Sequence, residues 1–156
     1  ASTFGHAFAK AEMAAGTTLP REGTVFISVN PFDRGAVTKI ARDLAQIGFR
    51  LIATEGTAQY LSSIGLPVER VARPGDESPN ILDHIRAGDI ALIINTPRGG
   101  QAHRDGLRLR GAAAAYDVPI LTTMSAATAA VQGIRALVKK PLRARSLQAH
   151  YAAQKR

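Results

Sequence analysis

The sequence predicts an α/β protein, a three-layer α/β/α arrangement around a doubly wound, mainly parallel sheet of five strands. Three observations carry this. β-rich runs of about five residues alternate along the chain with helical patterns of about ten, the rhythm of strand–helix–strand units. The run Ile90-Ala91-Leu92-Ile93-Ile94 is apolar without a break, as in a strand covered on both faces. The length of 156 residues, 46% of them hydrophobic, suits a single full core.

The elements follow in order. Residues 24–29 (Thr-Val-Phe-Ile-Ser-Val) read as the first strand, which ends at the turn Asn30-Pro31. Residues 34–47 place Val37, Ile40, Ala41, Leu44 and Ile47 at helical spacing, and Gly48 closes that helix. Residues 50–54 form the second strand, and Glu55-Gly56 turns into a helix that runs through Leu61 and stops at Gly65. Residues 67–71 are a short third strand. Residues 79–87 are a helix with Ile81, Leu82 and Ile85 inward, ended by Gly88. The fourth strand is 90–94, a helix covers 105–115, the fifth strand is 119–122, and the last helix spans 126–138. Residues 1–20 stand apart. Phe4, Phe8 and Met13 can line one face of a short helix, which residues 16–20 (Gly-Thr-Thr-Leu-Pro) break. They read as the tail of a preceding unit and a linker, with the domain proper at 21–156.

Composition narrows the function. The 20 Lys and Arg against 12 Asp and Glu give +8. After Asp117 there is no acidic residue, while Arg135, Lys139, Lys140, Arg143, Arg145, Lys155 and Arg156 are basic, so the body before them is nearly neutral. A nucleic-acid surface pairs such charge with stacking aromatics, and this tail holds only Tyr151, so no nucleic-acid partner is expected. The basic tail fits an acidic partner surface or plain solvation. No Cys is present, which excludes a disulfide, a thiolate zinc site and a Cys nucleophile. No apolar run approaches the ~20 residues of a membrane span and no signal-peptide pattern is visible, so a cytoplasmic protein without membrane contact is expected.

In a doubly wound sheet, ligands sit beyond the carboxyl ends of the strands, where helix N-termini present amide donors. The positions to inspect are therefore residues 30–34, 54–57, 73–78, 95–100 and 122–125. Thr54-Glu55-Gly56-Thr57 sets two hydroxyls around a glycine at a strand-to-helix turn. That arrangement can ring a phosphate, and it serves equally as an ordinary N-cap with a turn glycine. Arg34 follows the first strand and Arg73 the third; together they suit a phosphate monoester, singly they read as solvated arginines. Asn95-Thr96 leaves the fourth strand into Pro97-Arg98-Gly99-Gly100, where an Asn can recognise a ribose hydroxyl or base edge, or close an Asx-turn. Catalytic signals are few. His6, His84, His103 and His150 lack metal-ligand spacing, and no metal or catalytic residue is expected. His103 is the one candidate acid or base, Asp76 and Glu77 are loop carboxylates, and no P-loop or G-x-G-x-x-G motif occurs. The site is suited to holding an anion.

The ordered set Ile27-Ser28-Val29, Asp33-Arg34, Gly48-Phe49, Ala53-Thr54-Glu55-Gly56-Thr57-Ala58 and Ile93-Ile94-Asn95-Thr96 resembles a known family. It is similar to the C-terminal allosteric domain of the carbamoyl-phosphate synthetase large subunit, which has the methylglyoxal synthase-like fold. The resemblance covers about residues 21–156 and is weakest after Val138. Residues 1–15, with Thr3-Phe4 and Ala7-Phe8-Ala9-Lys10-Ala11, resemble the end of the ATP-using domain that precedes it, implying a piece of a longer chain.

The resemblance implies a non-catalytic regulatory domain that binds a nucleotide effector, UMP or in some members IMP, with no cofactor of its own. It implies a whole enzyme that makes carbamoyl phosphate from bicarbonate, glutamine nitrogen and ATP with Mg or Mn, for arginine and pyrimidine synthesis. The implied partners are the other domains of the large subunit, the glutaminase small subunit, and further copies through this domain. Carried over, the effector contacts fall on Thr54 and Thr57 around Gly56, on Arg34 and Arg73 where Lys is more usual, and on Asn95 and Thr96. Two positions depart from the pattern: Pro97 stands where a second Thr is common, and Gly106 where a Ser contact is expected. The runner-up is methylglyoxal synthase, a phosphate-eliminating enzyme of the same fold. It implies a third-loop carboxylate base, which Asp76 approximates, with His103 near a family histidine. A structural oligomerisation module without a ligand is the third reading.

Overall fold

The computed structural model describes residues 3–139. Five strands, β1 (Thr24–Val29), β2 (Arg50–Ala53), β3 (Val68–Arg70), β4 (Leu92–Thr96) and β5 (Ile120–Leu121), form one sheet in the order β3-β2-β1-β4-β5. Every pairing is parallel. Six helices accompany them: α1 (Phe4–Ala14), α2 (Arg34–Ile47), α3 (Glu55–Ser63), α4 (Ile81–Arg86), α5 (Gly100–Ala115) and α6 (Met124–Lys139).

The alternation of side chains along the central strands builds the layers. On β1, Val25, Ile27 and Val29 enter a core shared with α1, α2, α3 and α6, while Phe26 faces the opposite way toward α4 and α5. Leu92 and Ile94 against Ile93 on β4, and Leu51 and Ala53 against Ile52 on β2, divide in the same manner. Complete burial of Phe26 and Ile93 stabilises the fold by about 1.5–3 kcal/mol per side chain. The predicted three-layer parallel architecture is therefore the observed one.

Helix ends follow local chemistry. Gly48 ends α2 in the left-handed conformation (φ 115°) and its N–H bonds the carbonyls of Leu44 and Ala45. Asn80 and Asp83 make a reciprocal capping box at α4. Several boundaries differ from expectation, β4 beginning at Leu92 and α6 at Met124 among them, and two of the differences bear on the site. β4 runs to Thr96, so Asn95 and Thr96 are ladder residues paired with Ser28 and Val29 and not loop residues. α5 starts at Gly100, five residues ahead of the predicted start at Asp105.

α1 lies on α6. Gly5 and Gly133 allow the contact: a Cβ on Gly5 would stand 2.6 Å from the carbonyl oxygen of Gln132. Ala9 and Leu19 are buried in the larger core, so much of the segment set apart at 1–20 packs on the domain. Lys140, Arg143, Arg145, Lys155 and Arg156, most of the basic tail, lie outside the described residues, as do His150 and Tyr151.

A candidate anion site at the switch point

The strand order reverses direction between β1 and β4, whose connections leave to opposite faces of the sheet. A crevice forms at such a point because the two outgoing chains diverge. A cleft of about 480 Å³ lies there, lined by Ser28, Asn30, Thr54, Arg73, Asn95, Thr96, the connection 97–99 and the start of α5, and by Phe26, Asp105 and Leu109. The expected positions 30–34, 54–57, 73–78 and 95–100 all contribute residues, whereas none of 122–125 lines it.

Asn30 fastens the floor. Its backbone N–H donates to the carbonyl and hydroxyl oxygens of Thr96, and its Nδ2 donates to the same two atoms at 3.2 Å and to Asp33 at 2.7 Å. Its Oδ1 accepts from the N–H groups of Phe32 and Asp33, which starts the turn into α2. Thr96 is 5% exposed, and its hydroxyl accepts from Asn30 while keeping its own proton to donate. Ser28 is placed similarly, accepting from the Thr54 hydroxyl at 3.0 Å.

Asn95 is also 5% exposed and lines the cleft, and its carboxamide makes no hydrogen bond among the described residues. No Asx-turn uses it. A Cβ on Gly106 would lie 3.2 Å from Asn95 Nδ2 and 3.4 Å from the Pro97 ring, so the two positions that depart from the family pattern adjoin each other and Asn95.

Arg73 Nε donates to Asp105 at 2.9 Å, and Asp105 also accepts from Gln101 Nε2 at 2.9 Å. The hydrogen bond to Asp105 raises the Arg73 pKa further, against an opposing effect of burial, so this cation is permanent. The backbone N–H of Arg73 donates to Asp76, which places that loop carboxylate on its own turn and outside the cleft lining. His103 sits exposed on the first turn of α5 and does not line the cleft.

Arg34 and Gly56 meet at the start of α3. A Cβ on Gly56 would stand 2.7 Å from Arg34 Nη2, so the absent side chain is what admits the guanidinium. Arg34 Nε is buried without a hydrogen-bond partner among the described residues. Thr54 is the N-cap of α3 but its side chain caps nothing in that helix, being turned to Ser28. The first-turn N–H groups of α3 are thus left for another acceptor. Thr57 is 2% exposed; its hydroxyl accepts from the Val29 N–H at 3.2 Å and reaches the Val29 carbonyl at 3.4 Å. Its side chain braces β1, leaving its backbone N–H as the group on offer. Of the seven expected residues, Thr54, Arg73, Asn95 and Thr96 line the cleft, whereas Arg34, Gly56 and Thr57 do not line it and gather at the start of α3.

Sequence reasoning did not find Asp105, Gln101 or Asn30 as site residues. The position of Asn30 just after a strand was a signal; the pairing of Arg73 with Asp105 had none. Among the described residues no cluster of His, Asp and Glu could hold a metal, and no helix is long and apolar enough to cross a membrane.

Residues 36–122 match the family model of the MGS-like domain. The chain belongs to the MGS-like domain family. The carbamoyl phosphate synthase large chain of Acidobacterium capsulatum is 43% identical over 97% of this MGS-like chain and 14% of its own length. That of Mycobacterium tuberculosis is 44% identical over 93% of the chain and 14% of its own. The carbamoyl phosphate synthase large chain, C-terminal section, of Methanopyrus kandleri is 49% identical over 88% of the chain and 26% of its own. The MGS-like chain thus spans 14–26% of the length of these relatives. Methylglyoxal synthase from Elizabethkingia anophelis superposes with a TM-score of 0.58, covering 72% of this chain and 79% of that one; at 17% identity the likeness is one of fold.

Proposed function

We propose that the cleft holds a phosphate monoester and that the chain is the C-terminal allosteric domain of a glutamine-hydrolysing carbamoyl phosphate synthase large subunit, with UMP or IMP as effector. The observation that carries the phosphate site, at the edge of the cleft next to the lining residue Thr54, is the buried Nε of Arg34, unpartnered among the described residues, beside the uncapped N-terminus of α3. Buried donors are nearly always satisfied, so an acceptor belongs there. A dianionic phosphate supplies several oxygens, meets the positive end of the helix dipole, and takes a guanidinium bidentately. Arg73 gives a second, pre-oriented cation, and the free carboxamide of Asn95 with the Ser28 and Thr96 hydroxyls suits a sugar.

Regulation follows from where such a ligand would act. It would tie the ends of β1, β2 and β4 and the connection before α4 to one another, biasing the contacts this domain makes with the rest of its large subunit, its glutaminase subunit or further copies. Coupling of this kind amounts to about 1–3 kcal/mol between two states. The whole enzyme would use ATP, with Mg or Mn, to make carbamoyl phosphate for arginine and pyrimidine synthesis in the cytoplasm. A phosphate-eliminating reaction would need a free base at the cleft. Among the described residues Asp105 is the only carboxylate in its lining, and Arg73 and Gln101 occupy it, which favours binding without turnover. Calorimetric titration with UMP, IMP and dihydroxyacetone phosphate tests this: saturable nucleotide binding without phosphate release is expected, and phosphate release or silence toward all three would overturn it.

A further inference from the structure

Beyond the phosphate end, the outer lip of the cleft carries a pair that nothing so far explains. Phe32, one residue past the lining residue Pro31, is 75% exposed. Arg98, in the connection after β4, lines the cleft, and its Cζ stands 4.0 Å from the centroid of the Phe32 ring. Arg98 forms no ion pair or hydrogen bond among the described residues. Its guanidinium is therefore held by one face only, and the ring that holds it belongs to the opposite side of the switch point.

We propose that the Arg98 guanidinium, backed by Phe32, is the stacking surface for a nucleobase. This rests on the phosphate reading above and extends it to the other end of the ligand. A guanidinium is planar and weakly hydrated, and it stacks against flat π-systems as readily as it pairs with anions. Backing by Phe32 restrains that plane before any ligand arrives, which lowers the ordering cost of binding. The spacing fits. Strand order sets β2, which ends at the α3 phosphate site, two strands from β4, which leads to Arg98. At ~4.8 Å per strand that separation is about 10 Å. A bare phosphate cannot bridge it, whereas a phosphate and a base joined by ribose can. The Ser28 and Thr96 hydroxyls and the Asn95 carboxamide stand between, on the intervening β1 end and the neighbouring β4 end, where a ribose would lie.

The test compares UMP and IMP with ribose 5-phosphate, which keeps sugar and phosphate but lacks the base. Each is titrated calorimetrically into the chain and into its Arg98→Lys and Phe32→Leu variants. In the parent, the nucleotides should bind about 10-fold more tightly than ribose 5-phosphate. In both variants that ratio should fall toward one. Lys retains the charge of Arg98, so its failure to retain the ratio isolates the planar surface from simple attraction. Ribose 5-phosphate binding by a variant also shows that it is folded. A parent with no nucleotide preference, or a ratio that survives both substitutions, overturns the stacking role and leaves the phosphate site standing. Silence of the parent toward every ligand removes the phosphate site and the stacking role together.

Discussion

Arg73 Nε and the Asp105 carboxylate stand 2.9 Å apart, tying the connection before α4 to the second turn of α5 across one wall of the cleft. The pairing is asymmetric: the Asp105 side chain is 12% exposed and that of Arg73 is 43% exposed. Among the described residues only one of the five guanidinium N–H bonds is used, so Asp105 orients the cation and leaves most of its donors available. Arg73→Ala is expected to weaken phosphate-ester binding about 10-fold or more, the loss of a charge-assisted hydrogen bond. It should also cost about 1–3 kcal/mol of stability, because Asp105 keeps only Gln101. Asp105→Asn keeps the cation but releases it, and a smaller affinity loss should follow. Titration calorimetry and urea unfolding of both variants check this, and an undiminished affinity in Arg73→Ala would remove Arg73 from the site.

Gly56 separates affinity from stability. A methyl group there would collide with Arg34 Nη2, at 2.7 Å, and push the guanidinium off the start of α3. Position 56 is helical, and Ala is a better helix former than Gly by up to about 1 kcal/mol. Gly56→Ala should therefore bind phosphate esters several-fold more weakly, by losing Arg34, while unfolding at an equal or higher denaturant concentration. A variant that lost both together would indicate a damaged helix, and one that lost neither would place the phosphate away from Arg34.

The fold was legible because its elements announce themselves locally. The unbroken apolar run at 90–94, the 3.6-residue pattern of α2 and the glycine stops after α2 and α4 need no tertiary information. The two misplaced boundaries that bear on the site are where polar residues are buried by partners distant in sequence. Asn95 and Thr96 extend β4 because Ser28 and Val29 pair with them, and Asp105 is buried by Arg73, 32 residues earlier. The first turn of α5 is exposed apart from such contacts, so its residues carry no apolar period to read. The same reason hid the state of Thr57: its spacing from Thr54 suggests a second free hydroxyl, but Val29, 28 residues away, engages it. Positions after strands could be ranked as site residues from order alone; which side chains reach the cleft depended on these long-range pairs.

The α1–α6 contact carries a further prediction. Gly5 meets the backbone of Gln132, which no rotamer change can move aside, whereas Gly133 meets the side-chain ends of Leu19 and Phe8. Gly5→Leu should force α1 away from α6, exposing Ala9 and Leu19, at a cost of about 1–3 kcal/mol. Deleting residues 1–20 removes the same contacts and should lower the unfolding midpoint as well. Denaturant melts of both variants decide the matter: a deletion as stable as the parent would confine the folding unit to the residues that follow, and make α1 an accessory.

Asp43 joins α2 to α6, and its titration should be visible in acid. Its carboxylate meets Lys39 Nζ at 2.9 Å and Arg135 Nη2 at 2.8 Å, with the side chain 15% exposed. Burial by itself would raise its pKa, but the hydrogen bonds from Lys39 and Arg135 outweigh burial and bring it below the ordinary 3.8. Asp83 is shifted the same way, by the Asn80 backbone N–H first and the Ser78 hydroxyl second. A folded-state pKa below the unfolded one means that the unfolded chain takes up the proton first. The stabilisation is therefore complete above the unfolded carboxylate value and is lost as pH falls through the folded one. Stability should be flat in these two groups at neutral pH and decline below about pH 4. Asp43→Asn should be about 1 kcal/mol less stable than the parent at neutral pH. The gap should narrow as pH falls toward about 2, where the parent carboxylate is also protonated. Urea melts of the pair across that range give the answer, and a gap that held constant with pH would mean Asp43 contributes packing and not charge.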